Sequence, residues 1–231
     1  RFFDLVSASS KFSPSLPNMD FPFSVKPDRK LSVKDVMTLC RDKGYGTFFD
    51  PTRGIRGGPY QNPNYDSSAR LISVKQAEYT TVTQCRGWLP APIGGIVWLA
   101  WGAQDTSCFM PFYAGIKAMP GSFRVGDHFV LNRDSARWAF DYVDFHAQVC
   151  YAPALEEIKK AQTRWEDGAL NQIQDLDQKA LDLYKKNPAR AADFLTAFCL
   201  NNAEQVVRAW WQLGDELLVK FNHFGYYNTE R

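Results

Sequence analysis

Most catalytic sites are assembled from histidine, cysteine and carboxylate side chains, so their spacing is the first thing to read. The three histidines are His128, His146 and His223. They lie far apart, none has metal-ligand spacing to a neighbour, and His146 falls among apolar residues. Each reads as a hydrogen-bonded structural histidine. The five cysteines, Cys40, Cys85, Cys108, Cys150 and Cys199, are widely spaced with no C-x-x-C, which provides neither a zinc ligand set nor a redox motif. Most sit in apolar surroundings, where cysteine behaves as a small core residue; one disulfide is compatible with the spacing. No G-x-S-x-G elbow, P-loop, G-x-G-x-x-G or H-E-x-x-H occurs. The 231 residues hold no complete catalytic set, and no metal or cofactor is expected from them.

The segment with the most chemical promise runs from Glu78 to Trp98. Gln84 and Arg86 alternate with Cys85 and share one face of a strand. An arginine beside a glutamine at a strand end makes a fork for a carboxylate. The alternative is a structural Arg86 paired with an Asp or Glu. Trp88 has two readings as well, the floor of a pocket or an aromatic packed on its own turn. Gly94-Gly95 permits either close backbone approach or a bulge.

The elements that must position these residues follow from periodicity. Residues 1–30 read as irregular and Ser/Pro-rich, with Pro14, Pro17, Pro22 and Pro27 excluding a long helix through their second half. Residues 31–41 read as one helix, opened by a capping-box-like Ser32/Asp35 pair and carrying Val33, Val36, Met37 and Cys40 on one face. Gly44 to Ser68 is a long Gly/Pro/Asn/Tyr loop, either a functional lid or a surface insertion. Residues 70–113 read as an antiparallel meander with strands at Tyr79–Arg86, Gly95–Trp101 and Ser107–Tyr113. The middle strand is apolar throughout, which predicts layers on both of its faces. Residues 134–221 read as helices. Asp134 or Ser135 caps the first; a second starts near Pro153 and runs to Pro188, whole or broken near Gly168. A third starts at Asn187-Pro188, and a last one is capped by Asn202. The whole chain, 1–231, reads as a single α+β domain.

Composition bounds the rest. Apolar residues make up 45% and aromatics 15%, with seven Trp and seventeen Phe, so a substantial core is required. A net charge of +2 argues against nucleic acid or an anionic surface as a partner. The longest uncharged apolar run, Ala91 to Ala103, holds Pro92, Gly94 and Gly95 and is too short for a membrane span. The chain opens at Arg1 rather than Met, and its true amino terminus is expected to be missing or processed.

Several blocks, in one order along the chain, carry a resemblance: FSVKPDRKLSVKDVM (Phe23 to Met37), QCRGWLPAPIGGIVW (Gln84 to Trp98), FMPFYAGI (Phe109 to Ile116), DSARWAFDYV (Asp134 to Val143) and the closing WWQLGDELLVKF. Together they resemble the carboxy-terminal portion of the dipeptidase A family, the secernin relatives. The resemblance implies part of an αββα N-terminal-nucleophile hydrolase sandwich, an antiparallel sheet followed by carboxy-terminal helices. It implies cysteine-peptidase chemistry on a dipeptide or small amide: a processed amino-terminal Cys attacks the carbonyl while its own α-amine takes the proton. That amine has an ordinary pKa near 8 and is substantially neutral at pH 7. Residue one here is Arg1, so the expectation is a carboxy-terminal fragment, inactive alone, whose catalytic Cys lies upstream in a missing amino-terminal half. In related acylases an arginine of the second half lines the active site; Arg1 and Arg86 both match it by order. The substrate-binding candidates are thus Arg1, Gln84, Arg86 and Trp88. The alternative is a non-catalytic ligand-binding or interaction protein on the same fold. The resemblance further implies an exported or periplasmic location rather than a cytoplasmic one, and a possible homo-oligomer. A sheet lacking its amino-terminal half is also expected to associate through open edges.

Overall fold

The computed structural model describes residues 1–13, 20–66 and 70–222; His223 and the prolines at 14 and 17 lie outside them. Element order is α1 (Phe2–Val6), α2 (Val33–Cys40), β1 (Tyr79–Cys85), a helical turn α3 (Ala91–Gly94), β2 (Gly95–Trp101), β3 (Met110–Tyr113), α4 (Ala136–Ala147), α5 (Tyr151–Gln162), α6 (Gly168–Lys186) and α7 (Pro188–Phe221). The α+β class and the helices after the sheet follow the expectation. Residues 1–30 are less irregular than their composition predicts, because α1 and a 3₁₀ turn at Ala8–Ser10 occupy the start.

The three strands form an antiparallel sheet in the order β1-β2-β3. Tyr79 pairs with Trp101 and Cys85 with Gly95 across the first ladder, and Ile96 with Tyr113 across the second. β3 is shorter than predicted: Ser107, Cys108 and Phe109 precede the ladder rather than join it. Their backbone is held elsewhere, by Arg41, Gln162 and Glu166, which take the bonds a ladder would have taken.

Side-chain alternation decides which face is covered. Ile96, Trp98 and Ala100 of β2 are fully buried beneath the helices. Val97, on the other face, is 37% exposed. The expectation that both faces are covered therefore fails among the described residues. The apolar run reflects aromatic packing on the outer face instead: Trp101 stacks edge-on with Phe123 at 5.4 Å, and Phe123 with Phe112 at 5.4 Å.

α2 begins as its sequence dictates. Ser32 Oγ accepts from the Asp35 N–H at 3.1 Å, and Asp35 accepts from the Ser32 N–H at 2.8 Å, a complete capping box. Arg29 adds two bonds to Asp35, and these, with the Ser32 bonds, hold that carboxyl well below its usual range.

α7 is one helix of 34 residues that packs along α4 and α6 and against β3. Asn187 caps it by accepting from the Ala189 N–H at 2.9 Å. Asn202 was expected to start a separate helix; it lies mid-helix, its buried Oδ1 without a partner. Two asparagines cost a helix well under about 2 kcal/mol together. Burying Cys199, Ala203, Val206 and Trp210 on one continuous stripe outweighs that. α4 and α7 meet closely at Gly214, where a Cβ would fall 2.3 Å from the Tyr142 ring.

α5 and α6 are joined by a π-helical turn over Thr163–Asp167, so the helix is widened at that point rather than broken at Gly168. The extra residue turns Glu166 inward, where it is 3% exposed, toward Arg41 and the Phe109 N–H.

Candidate functional site

The loop after β2, Gly102 to Phe109, gathers the buried polar groups of the chain. Gly102 enters it with φ +69°, a left-handed conformation that glycine adopts without steric cost. Asp105 sits at its centre. One carboxylate oxygen accepts from Ser73 Oγ at 2.7 Å and lies 3.3 Å from Lys43 Nζ; the other accepts from the Tyr151 hydroxyl. Lys43 is 1% exposed and also donates to Asn64 Oδ1 at 3.0 Å. A lysine buried this deeply needs such a partner, because an unpaired ammonium would pay its full desolvation. Gln162 of α5 donates to the carbonyls of Asp105 at 2.9 Å and Ser107 at 2.7 Å. Burial, then the charge of Asp105, pushes the Tyr151 phenol well above its usual range, and burial raises Tyr45 to about 12. Both stay protonated donors at any physiological pH.

A second ion pair stands beside the first. Arg41, just past α2, donates to Glu166 at 2.9 Å through one nitrogen and again through another, and binds the carbonyls of Gln104 and Ser107 at 3.0 Å. Glu166 also accepts from the Phe109 N–H at 2.8 Å. Both carboxylate oxygens of Glu166 and four of the five N–H groups of Arg41 are thus used, the condition under which a buried pair holds its geometry. These groups line a cleft of about 420 Å³ between the end of α2, the start of the 43–66 loop and α5. Asp42, Tyr45 and Lys159 contribute to its rim.

Of the sequence-nominated residues, Arg1 reaches this cleft. Its guanidinium grips rim residue Asp42 bidentately at 2.9 and 2.8 Å. Burial opposes ionisation of Asp42, but Arg1 and the Gly44 N–H together hold its carboxyl below the usual range. Gln84, Arg86 and Trp88 lie at the other end of β1, roughly 20 Å away along a seven-residue strand. Gln84 Oε1 accepts from Trp98 Nε1 at 3.3 Å. Arg86 is buried, donating to the carbonyls of Gly94 at 3.3 Å and Ile93 at 2.6 Å and to Asp177 of α6. Asp177 accepts in turn from Tyr113 OH at 2.9 Å. Trp88 is 80% exposed. Gly94 serves close approach: a Cβ there would sit 2.6 Å from the Arg86 carbonyl oxygen.

The Asp105 cluster has no linear signature, since its members come from positions 41 to 166. The one sequence cue was its polar residues, Gln104 to Ser107, standing between two apolar strands.

No described thiol is poised as a nucleophile. Burial, then Glu166, pushes Cys108 far up, and burial raises Cys40, Cys150 and Cys199, the last to about 11. A reactive thiol needs the opposite shift. Cys85 is exposed, and all five thiols are free, so the disulfide allowed by the sequence does not form. His146 is held by packing rather than by the hydrogen bond expected of it. Its ring meets Tyr142 edge-on at 4.4 Å, its Nε2 has no partner, and burial lowers its pKa. His128 is exposed against Phe129. Among the described residues no group of His, Cys, Asp and Glu could hold a metal ion, and no helix is long and apolar enough to cross a membrane.

The sequence is 29% identical over 107 residues to a probable dipeptidase B of Lactococcus lactis subsp. lactis, a match that covers 46% of this chain and 22% of that protein. It is 27% identical over 122 residues to dipeptidase A of Lactobacillus helveticus, covering 53% of this chain and 25% of the relative. A probable dipeptidase of Latilactobacillus sakei matches at 27% over 182 residues, 77% of this chain and 35% of its own length. The chain thus spans about a fifth to a third of the curated relatives it matches. Residues 7–164 match the sequence profile of Peptidase family C69. That stretch takes in α2, the whole sheet and all of the cleft-lining residues except Glu166, more than half of the 231 residues, and the chain belongs to peptidase family C69.

Proposed function

We propose that this chain is a carboxy-terminal part of a cysteine dipeptidase, contributing the wall and support of a peptide-binding site whose nucleophilic thiol lies outside these residues. The observation that carries the reading is the C69 match across the sheet and cleft, joined to relatives named as dipeptidases. The state of the thiols supports it. Burial raises Cys40, Cys108, Cys150 and Cys199, whereas peptide-bond cleavage by cysteine requires a thiolate or an adjacent base. The cleft is lined by charged groups of both signs, among them Asp42 and Lys159, which suits a zwitterionic dipeptide.

The fold is consistent with one half of an αββα sandwich. Helices cover one face of the sheet, the Val97 face is open, and β1 pairs with β2 alone among the described strands. We take the open face and edge as the place where the rest of the domain joins, since an uncovered apolar sheet face is costly in water. Arg86, in this reading, supports the turn at 86–95 rather than touching substrate.

The test is hydrolysis of dipeptides by the native protein, with and without a thiol-alkylating reagent, together with mapping of the alkylated residue. Thiol-sensitive cleavage with the protecting label outside residues 1–231 is the expected result. Cleavage that survives complete alkylation, or no cleavage of any dipeptide, would overturn the proposal and leave a non-catalytic binding protein of the same family.

A further inference from the structure

The loop that joins β3 to α4 turns three consecutive apolar side chains toward solvent. Phe129 is 91% exposed, Val130 and Leu131 beside it are exposed as well, and so are Met119 and Val125 earlier in the loop. Adjacent apolar side chains held in water are costly unless a partner covers them. Slack in the chain does not explain the exposure, because the loop is pinned before and after the run. Phe123 packs edge-on against Trp101 and Phe112. Trp138 Nε1 donates to the Asp127 carbonyl at 2.9 Å, and the Asp127 carboxylate accepts from the Phe129 N–H at 2.7 Å. Just past the run, Asn132 Oδ1 accepts from the Asp134 N–H at 2.8 Å.

These anchors place the run at the rim of the open sheet face. Val97 and Phe112 oppose each other across β2 and β3 and share that face with Trp101. Tyr79, exposed at the free edge, meets the Trp101 ring at 6.5 Å. From the other side, Arg137 of α4 reaches Glu78, next to Tyr79, while its neighbour Trp138 holds Asp127. Both anchors therefore fall at the Tyr79–Trp101 end of the sheet. We propose that residues 119–131 are a clamp that seats the remainder of a family-length polypeptide on the sheet, with Phe129, Val130 and Leu131 entering an apolar recess of that part. The proposal rests on the reading of this chain as part of a longer dipeptidase. The matches span a fifth to a third of each relative, and a tethered segment meets the run at an effective concentration that a second copy does not reach. The run also continues the face which that polypeptide is proposed to cover, so one docked body buries both. Across 119–134 the charges of Arg124 and Arg133 cancel those of Asp127 and Asp134, which leaves nothing for an anionic lipid surface to recognise.

Photo-crosslinking of the native protein tests this. Phe129→p-benzoylphenylalanine keeps an aromatic side chain at the tip of the run. On irradiation it is expected to join a peptide outside residues 1–231 within the same polypeptide, mapped by mass spectrometry after digestion. A crosslink to a second copy, a crosslink confined to residues 1–231, or no crosslink overturns the clamp. Phe129→Asp combined with Leu131→Asp is the second measurement. It is expected to lower the thermal midpoint of the native protein by several degrees, whereas a run that stays in water would leave the midpoint within about 2 °C; an unchanged midpoint likewise overturns the clamp. Neither readout involves peptide cleavage. Thiol-sensitive cleavage without the crosslink would refute the clamp alone, and the crosslink without cleavage would refute the dipeptidase reading and leave the clamp.

Discussion

Arg86→Met separates the two roles the sequence left open for this arginine. The guanidinium is 6% exposed and is bonded to Asp177 and to the carbonyls of Ile93 and Gly94. Methionine replaces the stem but leaves the half-buried Asp177 without its counter-charge and two carbonyls without their donor. Breaking one side of a buried pair costs about 3–5 kcal/mol, and for a chain of this size that lowers the thermal midpoint by roughly 6–20 °C. Asp177→Leu alone is expected to cost a similar amount. The double variant should recover part of the loss, because removing both charges leaves neither stranded. Thermal unfolding followed by circular dichroism measures all three. A midpoint within 1 °C of wild type for Arg86→Met, accompanied by a raised KM in any dipeptide cleavage by the native protein, would refute the structural role and return Arg86 to ligand contact.

Gly214→Ala is expected to destabilise the protein by about 1–3 kcal/mol in urea titration: overpacking against Tyr142 exceeds the gain of about 1 kcal/mol that alanine brings a helix. Tyr142 cannot swing aside easily, since Arg133 and Trp211 hold its ring. Ser32→Ala should cost about 1 kcal/mol by removing the α2 cap, with little effect from Ser32→Thr. Maleimide labelling of the native protein should modify Cys85 quickly and Cys108 and Cys199 only after denaturation, given their burial; equal rates would show the core to be open. Asp144 also predicts a stability profile. Its folded pKa is raised, so its stabilisation is complete below 3.8 and is lost as pH rises through about 6. Asp144→Asn should unfold at a higher temperature than wild type at pH 8, and the gap should close by pH 4.

Much of the fold was readable because it rests on local rules. Thr80 to Thr83 are four β-branched residues in a row, and Ser32 with Asp35 announces a helix start three residues apart. Asn202 misled because cap preference is worth about 1 kcal/mol, less than the continuous buried stripe of α7 supplies from Cys199 to Trp210. The polar cleft was hidden for a different reason. Arg41 meets Glu166 across 125 positions and Lys43 meets Asp105 across β1, α3 and β2, so no window of sequence holds both members. Of the four nominated binding residues, Arg1 alone reaches the cleft, and it was nominated from order along the chain rather than from any pattern that points at Asp42.

The π-turn at Thr163–Asp167 makes the chain sensitive to length at that point in a way that no point substitution reproduces. One extra residue in a helical turn rotates everything after it by about 100°. A single-codon deletion between 163 and 167 would let α5 and α6 fuse into a regular helix, locally a favourable change. The same deletion would turn the Asp177 and Ile173 faces of α6 away from Arg86 and the core, and would swing Glu166 off Arg41. In-frame length variation is therefore expected to be purged within these five positions.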